Sequence, residues 1–342
     1  MSGRLSNLPD AVVRFLPAAF DGIDYELRVP YAAIELSSVE YEFDESEPFF
    51  RRAIEAGINF FDTANVYSNG ASEEVTGEML RRHGNLDEIV LATKVHFPMG
   101  TGPNMGGLSR KHIVQSCEDS LRRLGVDTID LFQIHRLDPH TPPEEMLAAL
   151  DSLVQSGKVR YLGASSMYAW EFASLLSTSE RNGWARMVSM QDHYNLLARE
   201  EEVEMHPLCE YEGIGVIPWS PLARGHLAGT RTAVGDQSNS TKRGQTDGLD
   251  KHLYTDDSDV AIIDAVRTVA ERHGRPMAQI ALAWVSSKPV VTAPIIGVTK
   301  MAQLDDAIAS LEIELSDDDI AELEAPYVPR RSSELGRPSL RR

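Results

Sequence analysis

What most constrains this chain is a period. From about residue 46 onward, short apolar runs alternate with longer amphipathic segments, the pattern of successive β-strand and α-helix units. Strands are expected over residues 58–62, 89–94, 130–135, 161–165, 187–191, 215–219 and 291–296, several of them apolar almost throughout, as strands covered on both faces are. The helices between them have readable ends. Ser109 caps a helix over 110–124 that Gly125 closes, and Pro142 with Pro143 opens a segment that stops at Gly157. Closing these strands into a barrel takes one more from the first fifty or so residues, and 31–36 or 39–43 has the β-branched and aromatic content for it. The fold expected is α/β, a (β/α)8 TIM barrel in a single domain with an atypical N-terminal segment; a chain of 342 residues can keep one core in that architecture. The competing arrangement, a doubly wound open sheet, usually carries a G-x-G-x-x-G turn after its first strand, and none is present.

Charge narrows the partners. Lys and Arg number 33 against 52 Asp and Glu, a formal net charge of −19 that repels polyphosphate and anionic lipid at long range. Nucleic acid and membrane surfaces are therefore not expected partners. A phosphorylated small molecule can still bind if a few cations and backbone N–H groups are concentrated at one place. Cys117 and Cys209 make neither a disulfide framework nor a metal spacing, so a reducing compartment is expected. With no apolar stretch of about 18 residues and no basic-then-apolar start, the chain is expected to be cytoplasmic. Residues 230–257 are polar, without a hydrophobic period, and read as a long loop, either a lid or a solvated insertion.

In a barrel of this kind the reacting groups sit where strands end. Asp62 and Tyr67 follow one strand in FDTANVY, Lys94 ends EIVLATK, and His135 ends DLFQIH. Each alone has an ordinary structural explanation. Together they form a constellation: an aspartate and a lysine at the mouths of adjacent strands can pair, and the lysine can then sit beside a phenol and draw its pKa down from about 10. Such a phenol can protonate the oxygen that gains negative charge when hydride reaches a carbonyl carbon, while a histidine N–H orients the same atom. Metal chemistry is less supported, because His135, His140 and His193 fall in no recognised ligand pattern, and no G-x-S-x-G elbow suggests a serine triad.

At this point the chain resembles the aldo-keto reductase superfamily, in particular the bacterial oxidoreductases related to potassium-channel β subunits. The resemblance rests on GINFFDTANVY with SNGASEE after it, IVLATKV, SLRRLGVDTIDLFQIHR, GKVRYLGASSM, VSMQDHYNLL, GIGVIPWSPLARGHLAG and PVVTAPIIGVTKMAQLDDAI, in the family's order. It implies reversible reduction of aldehydes or ketones with NADP(H), NAD(H) being the alternative, and a small-molecule carbonyl substrate. By motif it places Asp62, Tyr67, Lys94 and His135 on the family's catalytic tetrad, with Tyr67 as general acid and base. It further implies that Ser165, Ser166 and Gln191 hold the nicotinamide carboxamide and that Trp219 stacks on its ring. Ser220, Leu222 and Gly225 then embrace the pyrophosphate, Gly297, Thr299, Lys300 and Gln303 receive a 2′-phosphate, and Asp306 contacts adenine. Two positions depart from the pattern: Ser166 stands where the family often has Asn, and Ala307 replaces an Asn common beside Asp306.

The first forty or so residues depart more. The turn that ends the first strand in relatives is not found in 1–42, which suggests a replaced N-terminus or an altered coding frame. The division expected is a divergent segment over 1–43, the barrel over 44–328 and a tail over 329–342. A second function class is a nicotinamide-binding regulatory or interaction subunit with little turnover; the intact tetrad favours the enzyme. The sequence leaves oligomeric state open, a homo-oligomer included.

Overall fold

In the computed structural model of the protein, residues 33–35, 43–230, 253–254 and 258–329 are described. Among them the apolar runs form eight strands: β1 (Ala33–Glu35), β2 (Phe60–Asp62), β3 (Val90–Val95), β4 (Ile129–Ile134), β5 (Val159–Ser165), β6 (Met187–Gln191), β7 (Gly215–Val216) and β8 (Ile295–Ile296). They lie in one sheet in the order β7-β6-β5-β4-β3-β2-β1-β8, every pairing parallel. That order is consecutive and lacks the reversal a doubly wound sheet requires. The two end strands also meet the same stretch of chain. Val216 N donates to Val290 O at 3.1 Å, Thr292 N to Val216 O at 2.7 Å and Ile295 N to Pro218 O at 2.8 Å, so β7 is hydrogen-bonded to the run that leads into β8.

β1 falls inside 31–36, the first of the two candidate stretches; the second, 39–43, lies outside the described residues except for Phe43, which opens a helix. β7 and β8 are shorter than the apolar runs that contain them. Pro218 and Pro294 carry no N–H and interrupt the ladder, which continues past Pro218 as single bonds such as Trp219 N to Asp192 O at 2.8 Å.

Helices fill the connections: α1 (Phe43–Glu55), α2 (Ala71–His83), α3 (Arg110–Leu124), α4 (Pro143–Gln155), α5 (Ala169–Asn182), α6 (Met205–Glu212), α7 (Ser258–His273), α8 (Met277–Ser286), α9 (Met301–Ala309) and α10 (Asp317–Glu324). Their ends are chemical. Ser109 Oγ accepts from His112 N at 3.3 Å to start α3, and Gly125 closes it at φ 66°. None of the described helices is long and apolar enough to cross a membrane.

One apolar cluster lies between the sheet and α1 to α6, with Phe50, Met79, Leu91, Phe132 and Leu150 among its members; a second gathers Leu227, Val266, Ile280 and Trp284. Cys117 and Cys209 are both buried, and burial pushes the Cys117 thiol up to about 12, so neither acts as a nucleophile at neutral pH. Of the polar stretch 230–257, most lies outside the described residues. Leu253 and Tyr254 do not fit the expectation of a solvated loop: they are 5% and 2% exposed and belong to the second cluster. An aliphatic and an aromatic side chain side by side in a polar run are its natural anchor.

Candidate active site

The strand ends bring the predicted residues together. Asp62 is the last residue of β2, Lys94 lies one residue before the end of β3, and His135 follows β4 directly. Tyr67 opens a short 3-10 turn after β2, which carries its half-buried ring back over the strand ends. Lys94 and Asp62 are wholly buried and paired, Lys94 Nζ donating to Asp62 Oδ2. The same ammonium donates to Thr63 O at 2.9 Å and to Tyr67 Oη at 3.3 Å, which uses all three of its protons. Nζ also lies 4.8 Å from the centre of the tyrosine ring.

His135 stands edge-on to Tyr67, ring centres 5.6 Å apart, and edge-on to Phe97 at 4.9 Å. Burial first, and the Lys94 charge second, hold its imidazole well below the usual histidine range. It is therefore neutral at physiological pH and can donate one N–H without competing for the proton of Tyr67.

A residue that the sequence reading did not single out completes this corner. Gln133 Nε2 donates to Asp62 Oδ1 at 2.9 Å, and Gln191 Nε2 reaches the same oxygen at 3.3 Å. Gln133, on β4, is the register partner of Lys94 on β3 and of Gly163 on β5. A Cβ at Gly163 would lie 2.9 Å from Gln133 Cγ and 2.4 Å from Ser189 Oγ, so the glycine leaves the room that Gln133 occupies. The available signal was spacing: Gln133 in β4 lies two residues before His135, and residues two apart along an extended chain share a face.

The second group adjoins the first. Ser165 ends β5, with Arg136 Nη1 at 3.4 Å from its Oγ; Ser166 N donates to Gln191 O at 3.1 Å. Trp219 Nε1 donates to Ser166 Oγ at 3.2 Å. Beyond Trp219 the backbone turns through Ser220 at φ 55°, Ala223 at 46°, Arg224 at 54° and Gly225 at 100°, with Leu222 packed on the core between them. Ser166 itself is at φ 41°, a region Asn tolerates better than Ser.

The third group lies at the start of α9. Gly297, Thr299, Lys300 and Gln303 are exposed there, and Gln303 Oε1 accepts from Thr299 N at 2.8 Å and Lys300 N at 3.0 Å. Asp306 is half-buried and its Oδ1 accepts from Gln279 Nε2 at 2.9 Å. What relates this group to the first two is the sheet, in which β8 lies next to β1 and β1 next to β2.

Comparison with known proteins then decides the family. The model of the aldo/keto reductase family matches residues 32–327. The chain belongs to the aldo/keto reductase family. The match takes in β1, upstream of the motif stretches. The chain is 43% identical over 308 residues to a versiconal hemiacetal acetate reductase of Aspergillus parasiticus, covering 84% of this chain and 88% of that protein. It is also 43% identical over 310 residues to a putative aryl-alcohol dehydrogenase of Schizosaccharomyces pombe, covering 84% and 86%. A third relative is aldo-keto reductase AMT2 of Alternaria alternata, 42% identical over 308 residues, covering 83% and 82%. As an aldo-keto reductase with relatives named reductases and dehydrogenases, the protein is an oxidoreductase.

Proposed function

We propose that this aldo-keto reductase is an NADP(H)-dependent carbonyl reductase that reversibly converts aldehydes or ketones to alcohols, with Tyr67 as general acid in reduction and general base in oxidation. The observation that carries the reading is the single ammonium of Lys94, bonded at once to the Asp62 carboxylate and the Tyr67 hydroxyl. A cation beside a phenol favours the phenolate and so eases loss of the proton. The carbonyl oxygen takes that proton from Tyr67 Oη while the neutral His135 ring donates a hydrogen bond to it. Asp62, Gln133 and Gln191 keep Lys94 in place and charge-compensated away from water.

The residues present fit a dinucleotide, which when bound supplies the hydride. The positive-φ residues Ser220, Ala223, Arg224 and Gly225 belong to a tight turn, the kind of backbone that builds anion-binding concavities, and suit a pyrophosphate. Trp219 offers an indole face to a nicotinamide ring, with Ser165, Ser166 and Gln191 beside it for the carboxamide. At α9, Gln303 Oε1 occupies the acceptor place that a phosphate oxygen would take on the N–H groups of Thr299 and Lys300, and Lys300 adds charge. Gly297 and Asp306 flank that place on either side. We read the consecutive sheet, with β7 bonded to the run before β8, as a closed (β/α)8 barrel that takes in β1 upstream of the boundary expected at 43/44 and is followed by the tail over 329–342.

NADPH oxidation with a panel of aldehydes, the substrate class suggested by relatives named for a hemiacetal acetate and for aryl alcohols, tests the reading. Tyr67→Phe should lower kcat by about a thousandfold and leave NADPH affinity unchanged. Tight NADPH binding with no turnover of any carbonyl would point instead to a regulatory binding subunit. Lys300→Glu should weaken NADPH more than NADH; equal losses would remove the 2′-phosphate assignment.

A further inference from the structure

Trp219 is held on several sides. Its ring stacks on the imidazole of His193, centres 4.3 Å apart and planes within 14°. Its Nε1 is bonded to Ser166 Oγ, and its backbone N to Asp192 O. His193 is itself tied down, because its Nε2 lies 2.6 Å from Tyr254 Oη. Asn195 Nδ2 donates to that same hydroxyl at 3.0 Å and to Ser220 O at 2.9 Å. The other end of the Asn195 amide is engaged too, Oδ1 accepting from Leu197 N at 2.8 Å and Ala198 N at 3.1 Å. Asn195 is wholly buried and cannot turn away without abandoning several bonds.

One hydroxyl thus joins two features of the cofactor half: the ring beneath Trp219 and the amide that grips Ser220. Ser220 needs that grip. At φ 55° a residue with a Cβ is in a sparsely populated conformation, which persists only where surrounding structure enforces it. Tyr254 is 2% exposed, too enclosed to touch a ligand, and lies 61 residues from His193 in the chain. Its ring fills space in the second apolar cluster, and a phenylalanine would fill the same space. What the tyrosine adds is the pair of bonds: its hydroxyl is hydrogen-bonded to His193 Nε2 and accepts from Asn195 Nδ2.

We propose that Tyr254 is a positioning residue for the nicotinamide half of the site, acting through His193 to fix the plane of Trp219 and through Asn195 to fix the turn at Ser220. This rests on the reading above that Trp219 stacks on the nicotinamide. The sequence conceals the role, since Tyr254 stands in a polar run and His193 and Asn195 lie about sixty residues before it.

The test is calorimetric titration of wild type and Tyr254→Phe with two probes, NADPH and adenosine 2′,5′-bisphosphate. The bisphosphate carries the 2′-phosphate but no nicotinamide and no pyrophosphate. Tyr254→Phe should raise the Kd for NADPH about tenfold, the size of one lost buried hydrogen bond, and leave the bisphosphate within about twofold. The emission of Trp219, taken as the difference from a Trp219→Phe control, should also be quenched less by saturating NADPH in the variant. His193→Phe keeps a ring under Trp219 but loses the nitrogen bonded to Tyr254, and should show the same split. Equal weakening of both probes in both variants, the mark of a merely structural role, would overturn the proposal, as would unchanged NADPH affinity. Wild-type protein that binds the bisphosphate but shows no NADPH-dependent change in Trp219 emission would sink the placement of the nicotinamide itself.

Discussion

His135 shows how burial selects a protonation state. An ordinary histidine changes charge near pH 6.5, but this ring is desolvated and faces the Lys94 ammonium, and both disfavour the imidazolium. Below about pH 6.5 the unfolded chain therefore binds a proton that the folded one refuses, so this group makes the fold less stable as pH falls and has no such effect above that range. For the reaction the consequence is a flat profile: carbonyl reduction should show no histidine step between pH 8 and pH 6. A fall in kcat centred near pH 6.5 in the wild type, absent in His135→Asn, would show that the ring protonates in the working range. Asp62, Tyr67, Lys94 and His135 were legible in the sequence because each stands where an apolar run ends. Gln133 was not, because a glutamine inside such a run does not announce the carboxylate it will meet across the sheet; only its two-residue spacing from His135 pointed inward.

At the scale of elements, most strands and helix ends follow from apolar period and capping chemistry. β6 spans the very residues of its apolar run, and α3 begins and ends at its Ser109 and Gly125 signals. Where the reading was less complete, a backbone or tertiary effect intervened. The prolines shortened β7 and β8, and the hydroxyl of Tyr254 meets partners about sixty residues away. Packing between helices was hidden as well. Gly77 in α2 faces the end of α3 so closely that a Cβ would lie 2.0 Å from the carbonyl oxygen of Leu124. A backbone oxygen cannot swing aside as a side chain can, so α2 and α3 would have to separate. Gly77→Ala, helix-favouring by propensity, should therefore destabilise the protein by about 3 kcal/mol in urea unfolding. A neutral or stabilising effect would mean that the two helices are not in contact there.

Over the whole molecule, the sheet depends on short strands where β2, β1 and β8 meet. β1 has three residues, yet it pairs with β2 on one side and β8 on the other. Ile34→Pro removes an N–H from that ladder, and it should lower the unfolding free energy by about 3 kcal/mol or more; an unchanged urea midpoint would show that β1 is dispensable. The sheet matters to the chemistry because it excludes water from Lys94 and Asp62, both 0% exposed. Removing one partner of such a pair strands the other charge and destabilises the fold, whereas replacing both by neutral side chains of similar size need not. The double variant Asp62→Asn/Lys94→Met therefore isolates the influence of the ammonium on Tyr67. The most direct measurement is the pH dependence of kcat for alcohol oxidation in wild type and this variant. Wild type should gain activity through an ionisation below the ordinary phenol value of about 10, and the variant, slower throughout, should show it at about 10. The same midpoint in both proteins would mean that Lys94 does not set the acidity of Tyr67.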